Sequence, residues 1–244
     1  MKHLAKLLAD NRRVPGRRFD VKASADEADV YLYDAIVDDE ATAEWWGGVA
    51  PESFVKALSE IDAAVINLRI NSPGGSVFAA RAIEQALREH PARVVAHIDG
   101  LAASAATFVA MAADEVVMNK GALFMIHRAW TIAYGNADDL VATAELLEKI
   151  DGTLVQTYVD RTGKEAGQVA DWMKAETWFT AQEAVDAGFA DRIAETAAKA
   201  QAWNLSAYAH APKAPATEKP ATPQPRRADV AALLRRLSMA SLPV

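Results

Sequence analysis

Two residues in this chain have the chemical type and setting needed to cleave an acyl bond, Ser104 and His127. Ser104 lies in Asp99-Gly100-Leu101-Ala102-Ala103-Ser104-Ala105-Ala106, a lone hydroxyl among small residues at the start of a helical stretch. A helix N-terminus offers unpaired N–H groups and the positive end of the helix dipole, both favourable to an alkoxide and a tetrahedral oxyanion. Small neighbours let a peptide backbone approach. The competing reading is an N-cap serine in a tightly packed helix, the usual reason for a serine at a helix start. A nucleophilic serine also needs a base, and five histidines are available. His3 and His210 lie at the edges of the ordered part, His90 ends a charged helix before Pro91, and His97 alternates within a strand. His127 instead closes the apolar run Leu123-Phe124-Met125-Ile126. An imidazole at a strand end can reach a neighbouring helix N-terminus, which is the arrangement of an activated serine. A strand-end histidine bonded only to backbone is the alternative.

A second glycine-bearing turn follows a strand at Asn71-Ser72-Pro73-Gly74-Gly75-Ser76. Proline followed by paired glycines permits a tight turn with positive φ and leaves backbone N–H groups bare. Such groups can donate to a developing oxyanion, although a plain structural turn reads the same way. The chain has no cysteine, which excludes disulfides, a thiolate nucleophile and cysteine-ligated zinc. No metal or cofactor is called for.

The elements that must position these residues alternate between strand and helix. Strands are expected at 30–36, 63–71, 94–98, 115–118 and 122–126, and the near-continuous apolar run at 63–71 suits a sheet covered on both faces. Helices are expected at 76–89, 104–113 and from the Asn136 cap to about Arg161, with Gly163 just beyond. The long helix carries Leu140, Ala144, Leu147, Leu154 and Tyr158 on one face. A shorter helix surrounds Val169–Met173, and Thr180 with Glu183 forms a capping box for a helix that Gly188 closes. Repeated β-α-β crossovers indicate an α/β domain.

With 51% hydrophobic residues, the 244-residue chain can bury one sizeable core. Formal net charge is −7. From Ala211 onward, six basic residues face two acidic ones, so the tail is +4 and the remainder −11. An acidic body argues against nucleic-acid binding. No segment approaches the roughly 18 apolar residues of a membrane span, and the N-terminus lacks the pattern of a signal peptide. A cytoplasmic protein is expected. The chain divides into an N-terminal segment (1–18), a catalytic domain (19–200), a Pro/Ala-rich linker (201–228) and a short basic amphipathic helix (229–244), with the change of composition near residue 211.

Four motifs then occur in order: INSPGGS, GLAASAATFVAMAA, LFMIHRAW and ETWFTAQEAVDAGFAD. Together they resemble the Clp protease proteolytic subunit family, from about Phe19 to Ile193. The resemblance implies a crotonase-like α/β fold with a protruding handle helix, here 136–161, and a ring-forming homo-oligomer. It implies a serine endopeptidase with Ser104 as nucleophile, His127 as base, and the N–H groups of Gly75 and Ala105 as oxyanion donors. The third triad member, normally aspartate, falls on Glu176, with Asp171 as the reserve. The tryptophan-rich stretch Glu44-Trp45-Trp46-Gly47-Gly48, the linker with its basic helix and the ETWFTAQEA wording are most similar to the head maturation proteases of tailed phages and prophages. Those cleave scaffold, coat or portal precursors, which places this chain in host cytoplasm or in an assembling head. The alternatives are an ATP-dependent degradative subunit partnered by an unfoldase, a Ser–Lys peptidase using Lys120, a crotonase-fold acyl-CoA enzyme, and a non-catalytic assembly protein.

Overall fold

One long strand organises the molecule. β4 (Arg93–Ala103) pairs in its first half with β5 (Glu115–Met118) and in its second half with β6 (Leu123–Ile126), changing partner around Asp99-Gly100. The change is pinned by Asp99, which is buried. Its carboxylate accepts from Arg69 Nε at 2.8 Å, Arg69 Nη2 at 2.5 Å, Asn119 Nδ2 at 2.7 Å and the Tyr33 hydroxyl. A buried charge paired this completely is costly to break, so it specifies where β4 turns.

The computed structural model describes residues 4–195 and 203–212. Residues to Ala211 form one unit and Pro212–Val244 a second. The expected terminal helix (229–244), and the linker beyond Pro212, lie outside the described residues. Within the first unit, β1 (Arg18–Ala23) and β2 (Glu27–Tyr33) form an antiparallel hairpin, and β2, β3 (Val65–Ser72), β4 and β5 continue in parallel. The path ends on β8 (Arg192–Ile193), while β6 branches from β4 and pairs antiparallel with β7 (Thr177–Thr180). Ile66, Leu68, Ile70, Ala96, Ile98 and Val116 are all within the core. Phe54 and Leu58 of α3 (Pro51–Ser59), Ile83 and Leu87 of α4 (Val77–Glu89) and all of α5 (Ala105–Ala110) pack against them.

The strands expected at 63–71, 94–98, 115–118 and 122–126 are present as β3 to β6, and the one expected at 30–36 is β2, which ends at Tyr33. The strands β1, β7 and β8 add to the expected set, as do α1 (Leu4–Asn11), α2 (Glu40–Trp46) and α3. The helix opening at Ser104 is shorter than expected, ending at Ala110 rather than Ala113. The long helix α6 (Ala137–Thr162) begins at the anticipated Asn136 cap, which Asp139 completes into a capping box, and ends at Gly163, with φ of 66°. Its C-terminal half is anchored by buried Leu154 and Tyr158, while Leu140, Val141 and Leu146 in the other half are exposed. The helices α7 (Ala166–Lys174) and α8 (Ala181–Ala187) complete the set. Residues 203–210, which the sequence reading placed in the linker, are a correction. Trp203 is buried with Leu101, Ala103 and Met125, because its indole covers the ends of β4 and β6.

Candidate active site

Ser104 follows β4 and precedes α5, and its backbone has φ 53°, ψ −126°. That conformation is costly for a residue with a Cβ and is retained where the surroundings over-determine it. Three bonds do so here. Ser104 N donates to Met125 O at 2.8 Å, and Ser104 O accepts from Thr107 N at 2.9 Å and Thr107 Oγ1 at 2.6 Å. The Thr107 hydroxyl has one proton, already given to Ser104 O, so at its 2.5 Å contact with Tyr158 the tyrosine donates. The strained turn is thus tied to the handle helix. Ser104 occupies the N-cap position of α5, but its side chain makes no capping bond there. Its hydroxyl instead lies 2.7 Å from His127 Nε2.

His127 follows β6, which joins β4 through Ala103↔Met125. The loop beyond is held by Arg128 N donating to Met173 O at 3.2 Å and Ala129 N donating to Asp151 Oδ1 at 2.7 Å. Burial raises the Asp151 carboxyl, opposed by the Ala129 N–H and the charge of Arg128. On the other side of Ser104 the β3–β4 register slips between Ile70 and Ser72, which carries the Pro73-Gly74-Gly75 turn to the serine. Gly74 has φ 84°, and a Cβ there would lie 2.8 Å from both Ala105 N and Ser104 Cβ. Gly75 has φ 152°, where a Cβ would lie 1.9 Å from Ile36 O. Only glycine allows these approaches. Gly75, Ser104 and His127 line one cleft of about 370 Å³, with Phe78, Phe108, Ile132, Leu147, Ile150 and Leu154 forming apolar walls.

Glu176 also has a left-handed backbone, φ 50°. The antiparallel ladder ends at Ile126↔Thr177, so the next pair in that register is His127 with Glu176. The carboxylate accepts from Trp178 Nε1 at 3.2 Å, Ala209 N at 3.0 Å and His210 N at 2.6 Å. Asp171 is exposed on α7.

A hydroxyl hydrogen-bonded to an imidazole on a strained strand-to-helix turn, beside a glycine turn and an apolar cleft, is suited to acyl transfer. The chain's sequence agrees with that chemistry. The model of the Clp protease family matches residues 21–197. The chain belongs to the Clp protease family. It is a serine-type peptidase. It is 34% identical over 134 residues to the ATP-dependent Clp protease proteolytic subunit 1 of Leifsonia xyli, covering 54% of this chain and 68% of that one. It is equally 34% identical over 134 residues to the proteolytic subunit of Streptococcus agalactiae, covering 53% and 68%. A ClpP1 variant from Listeria monocytogenes shares the fold, with a TM-score of 0.59 and 21% identity over 69% of this chain and 91% of that one.

In this Clp protease, Ser104 and His127 are in hydrogen-bond contact, the Gly74-Gly75 turn lies against Ser104 and Ala105, and Glu176, unlike Asp171, falls opposite His127 when the β6–β7 register is extended by one pair. The sequence reading missed Tyr208. Its ring meets His127 edge-on at 5.6 Å between centroids, and its hydroxyl donates to Pro73 O. The available signal was the set Trp203, Leu205 and Tyr208, three large apolar side chains immediately before the proline-rich stretch. Among the described residues, no helix is long and apolar enough to cross a membrane, and no cluster of His, Asp and Glu could hold a metal ion.

Proposed function

We propose that this Clp protease is a head maturation endopeptidase of a tailed phage or prophage, working through Ser104, His127 and Glu176. The 2.7 Å contact between Ser104 Oγ and His127 Nε2, made on the strained turn, carries the catalytic part of this reading. His127 takes the Ser104 proton as Oγ attacks the scissile carbonyl. The N–H groups of Gly75 and Ala105 receive the oxyanion, which is where preorganised donors contribute most. The imidazolium then protonates the leaving amine, and water activated by the same histidine releases the acyl group. Glu176 orients the ring and stabilises its cation. Its described bonds use three of a carboxylate's roughly four acceptor directions, leaving one on Oε2 for the imidazole N–H.

The phage assignment is supported by features outside the catalytic motifs. Trp45 and Trp46 are 73% and 45% exposed, an unusual pair for a surface to display without a protein to bind. The basic tail supplies a second contact for acidic scaffold or coat. The exposed apolar residues of α6 fit a ring-shaped homo-oligomer. The second reading, an unfoldase-dependent degradative subunit, is favoured by the relatives, which are named as ATP-dependent proteolytic subunits. Co-expression with the coat, scaffold and portal products of neighbouring genes, followed by mass spectrometry, separates the two. Discrete Ser104-dependent cuts in one of those proteins support head maturation. Processive degradation that requires a co-purifying ATPase overturns it.

A further inference from the structure

Residues 203–210 return to the strands that carry the site and touch each of its parts. Trp203 Nε1 donates to Asn71 Oδ1 at 3.2 Å, at the start of the glycine turn. Tyr208 donates its hydroxyl proton to Pro73 O, one peptide before the Gly75 N–H. Its ring sets an edge against His127 and, at 5.8 Å between centroids, against Trp178. Ala209 N and His210 N hold the Glu176 carboxylate, and His210 Nδ1 lies 3.0 Å from Ala175 O. The far end is clasped by α1, where Asn11 Nδ2 donates to Asn204 O at 2.9 Å and Asn204 N donates to Asn11 Oδ1 at 2.7 Å.

We propose that Tyr208 is a positioning residue of this peptidase, locking the His127 ring and the Pro73–Gly75 turn in register, and that the strap 203–210 is part of the active enzyme. The proposal rests on the reading of Ser104 and His127 as the catalytic pair. Tyr208 meets the site from the side of the His127 ring and the Pro73 carbonyl, so it acts on the catalytic groups through the positions it fixes. Burial pushes its phenol up, with the Ser104 hydroxyl pulling the other way, so it remains a neutral donor over the working pH range. Without the strap, the buried Asn71 amide loses the donor to its oxygen, and Pro73 O loses a charge-neutral tie. Both losses loosen the loop that carries an oxyanion donor.

The test compares Y208F, Y208A and chains ending at residue 202 or 211, using a short fluorogenic peptide and a fluorophosphonate probe. Y208F keeps the ring and removes the hydroxyl, and we expect kcat to fall about tenfold, and about a hundredfold for Y208A, with KM within about twofold. Probe labelling of Ser104 should slow in the same proportion. The chain ending at 211 should match the full chain, and the chain ending at 202 should behave like Y208A or worse. Thermal melts identify any variant that fails to fold, and Y208F decides the case if the larger changes do. Wild-type kcat in Y208F and Y208A, or a loss that only follows the folded fraction, overturns the proposal. S104A separates the two levels. If it keeps activity, the catalytic-pair reading falls and takes this one with it. If it is inactive while the Tyr208 variants are normal, only the role of Tyr208 is lost.

Discussion

Substituting Gly74 with alanine tests whether the glycine turn positions catalytic groups or merely reverses the chain. At Gly74 a Cβ would stand 2.4 Å from Ala103 O, and both Ala105 N and Ser104 Cβ are 2.8 Å away. Contacts below 3.0 Å are essentially never made by real Cβ atoms, and these neighbours are backbone or the strained serine itself. The turn must therefore withdraw from the β4 end by about 0.6 Å to bring the Ala103 O contact to 3.0 Å, or about 1 Å for relaxed contact, and the Ser104 side moves with it. A misplacement of about 1 Å costs on the order of a hundredfold in rate, similar to losing one oxyanion donor. The left-handed backbone adds roughly 1–2 kcal/mol of strain, which lowers the melting temperature by a few degrees for a domain of this size.

Gly121 supplies the control. It has φ 82°, almost the same as Gly74, but a Cβ there meets nothing within 4 Å. G121A should lose the same stability and keep full activity. G74A should lose kcat about a hundredfold with little change in KM, because the apolar walls of the cleft are on other elements. Steady-state kinetics on a fluorogenic peptide, with the rate of fluorophosphonate labelling and a thermal melt, measure all of these. A G74A enzyme within about threefold of wild type would refute the argument, as would an equal loss of activity in G121A.

S104A should abolish probe labelling and cut peptide hydrolysis by several orders of magnitude, without altering the size of the assembly in light scattering. E176Q keeps the shape but not the charge that steadies the imidazolium, so kcat should fall about 10²–10⁴-fold while D171N stays near wild type; the reverse result would move the acid to Asp171. V141D places a charge in the exposed apolar stretch of α6, where Val141 is 57% exposed. It should break the proposed ring into smaller species on size-exclusion chromatography with light scattering, since the side chain is mostly exposed in the subunit and an assembly contact is what the charge would disturb.

What could be read from the residues alone follows the range of the interactions involved. Ser104 and His127 are legible because each sits where a periodic apolar run stops, at the joint between regular elements. The capping box at Asn136 and the Gly163 stop set the ends of α6 through local hydrogen bonds. Long-range packing is less legible. Helical spacing puts Leu140, Ala144, Leu147, Leu154 and Tyr158 in one stripe, but the structure divides it. Leu154 and Tyr158 enter the core, Leu147 lines the cleft, and Leu140 and Ala144 face outward. Periodicity gives the face of a helix and not the partner at each turn. The strap was lost to composition, since residues 203–210 adjoin a Pro/Ala-rich stretch and contain no regular element. Its order comes from one buried indole, one tyrosine and bonds to residues 33 to 200 positions away in the chain.

The glutamate at 176 and the strap account for each other. A glutamate has one more rotatable bond than an aspartate, so a carboxylate meant to hold an imidazole would spend more of its time elsewhere. It also stands further from its own backbone, which here is already bent to φ 50°. Three N–H groups remove that freedom, and two of them, from Ala209 and His210, belong to the strap. The third, Trp178 Nε1, belongs to a side chain that Tyr208 packs against. Two of the three described hydrogen bonds to the longer acid therefore come from the strap itself. In the proposed triad, the strap is what steadies the longer acid, and E176D, which keeps the charge but shortens the side chain away from the Ala209 and His210 amides, should lower kcat of the full chain in the same fluorogenic peptide assay.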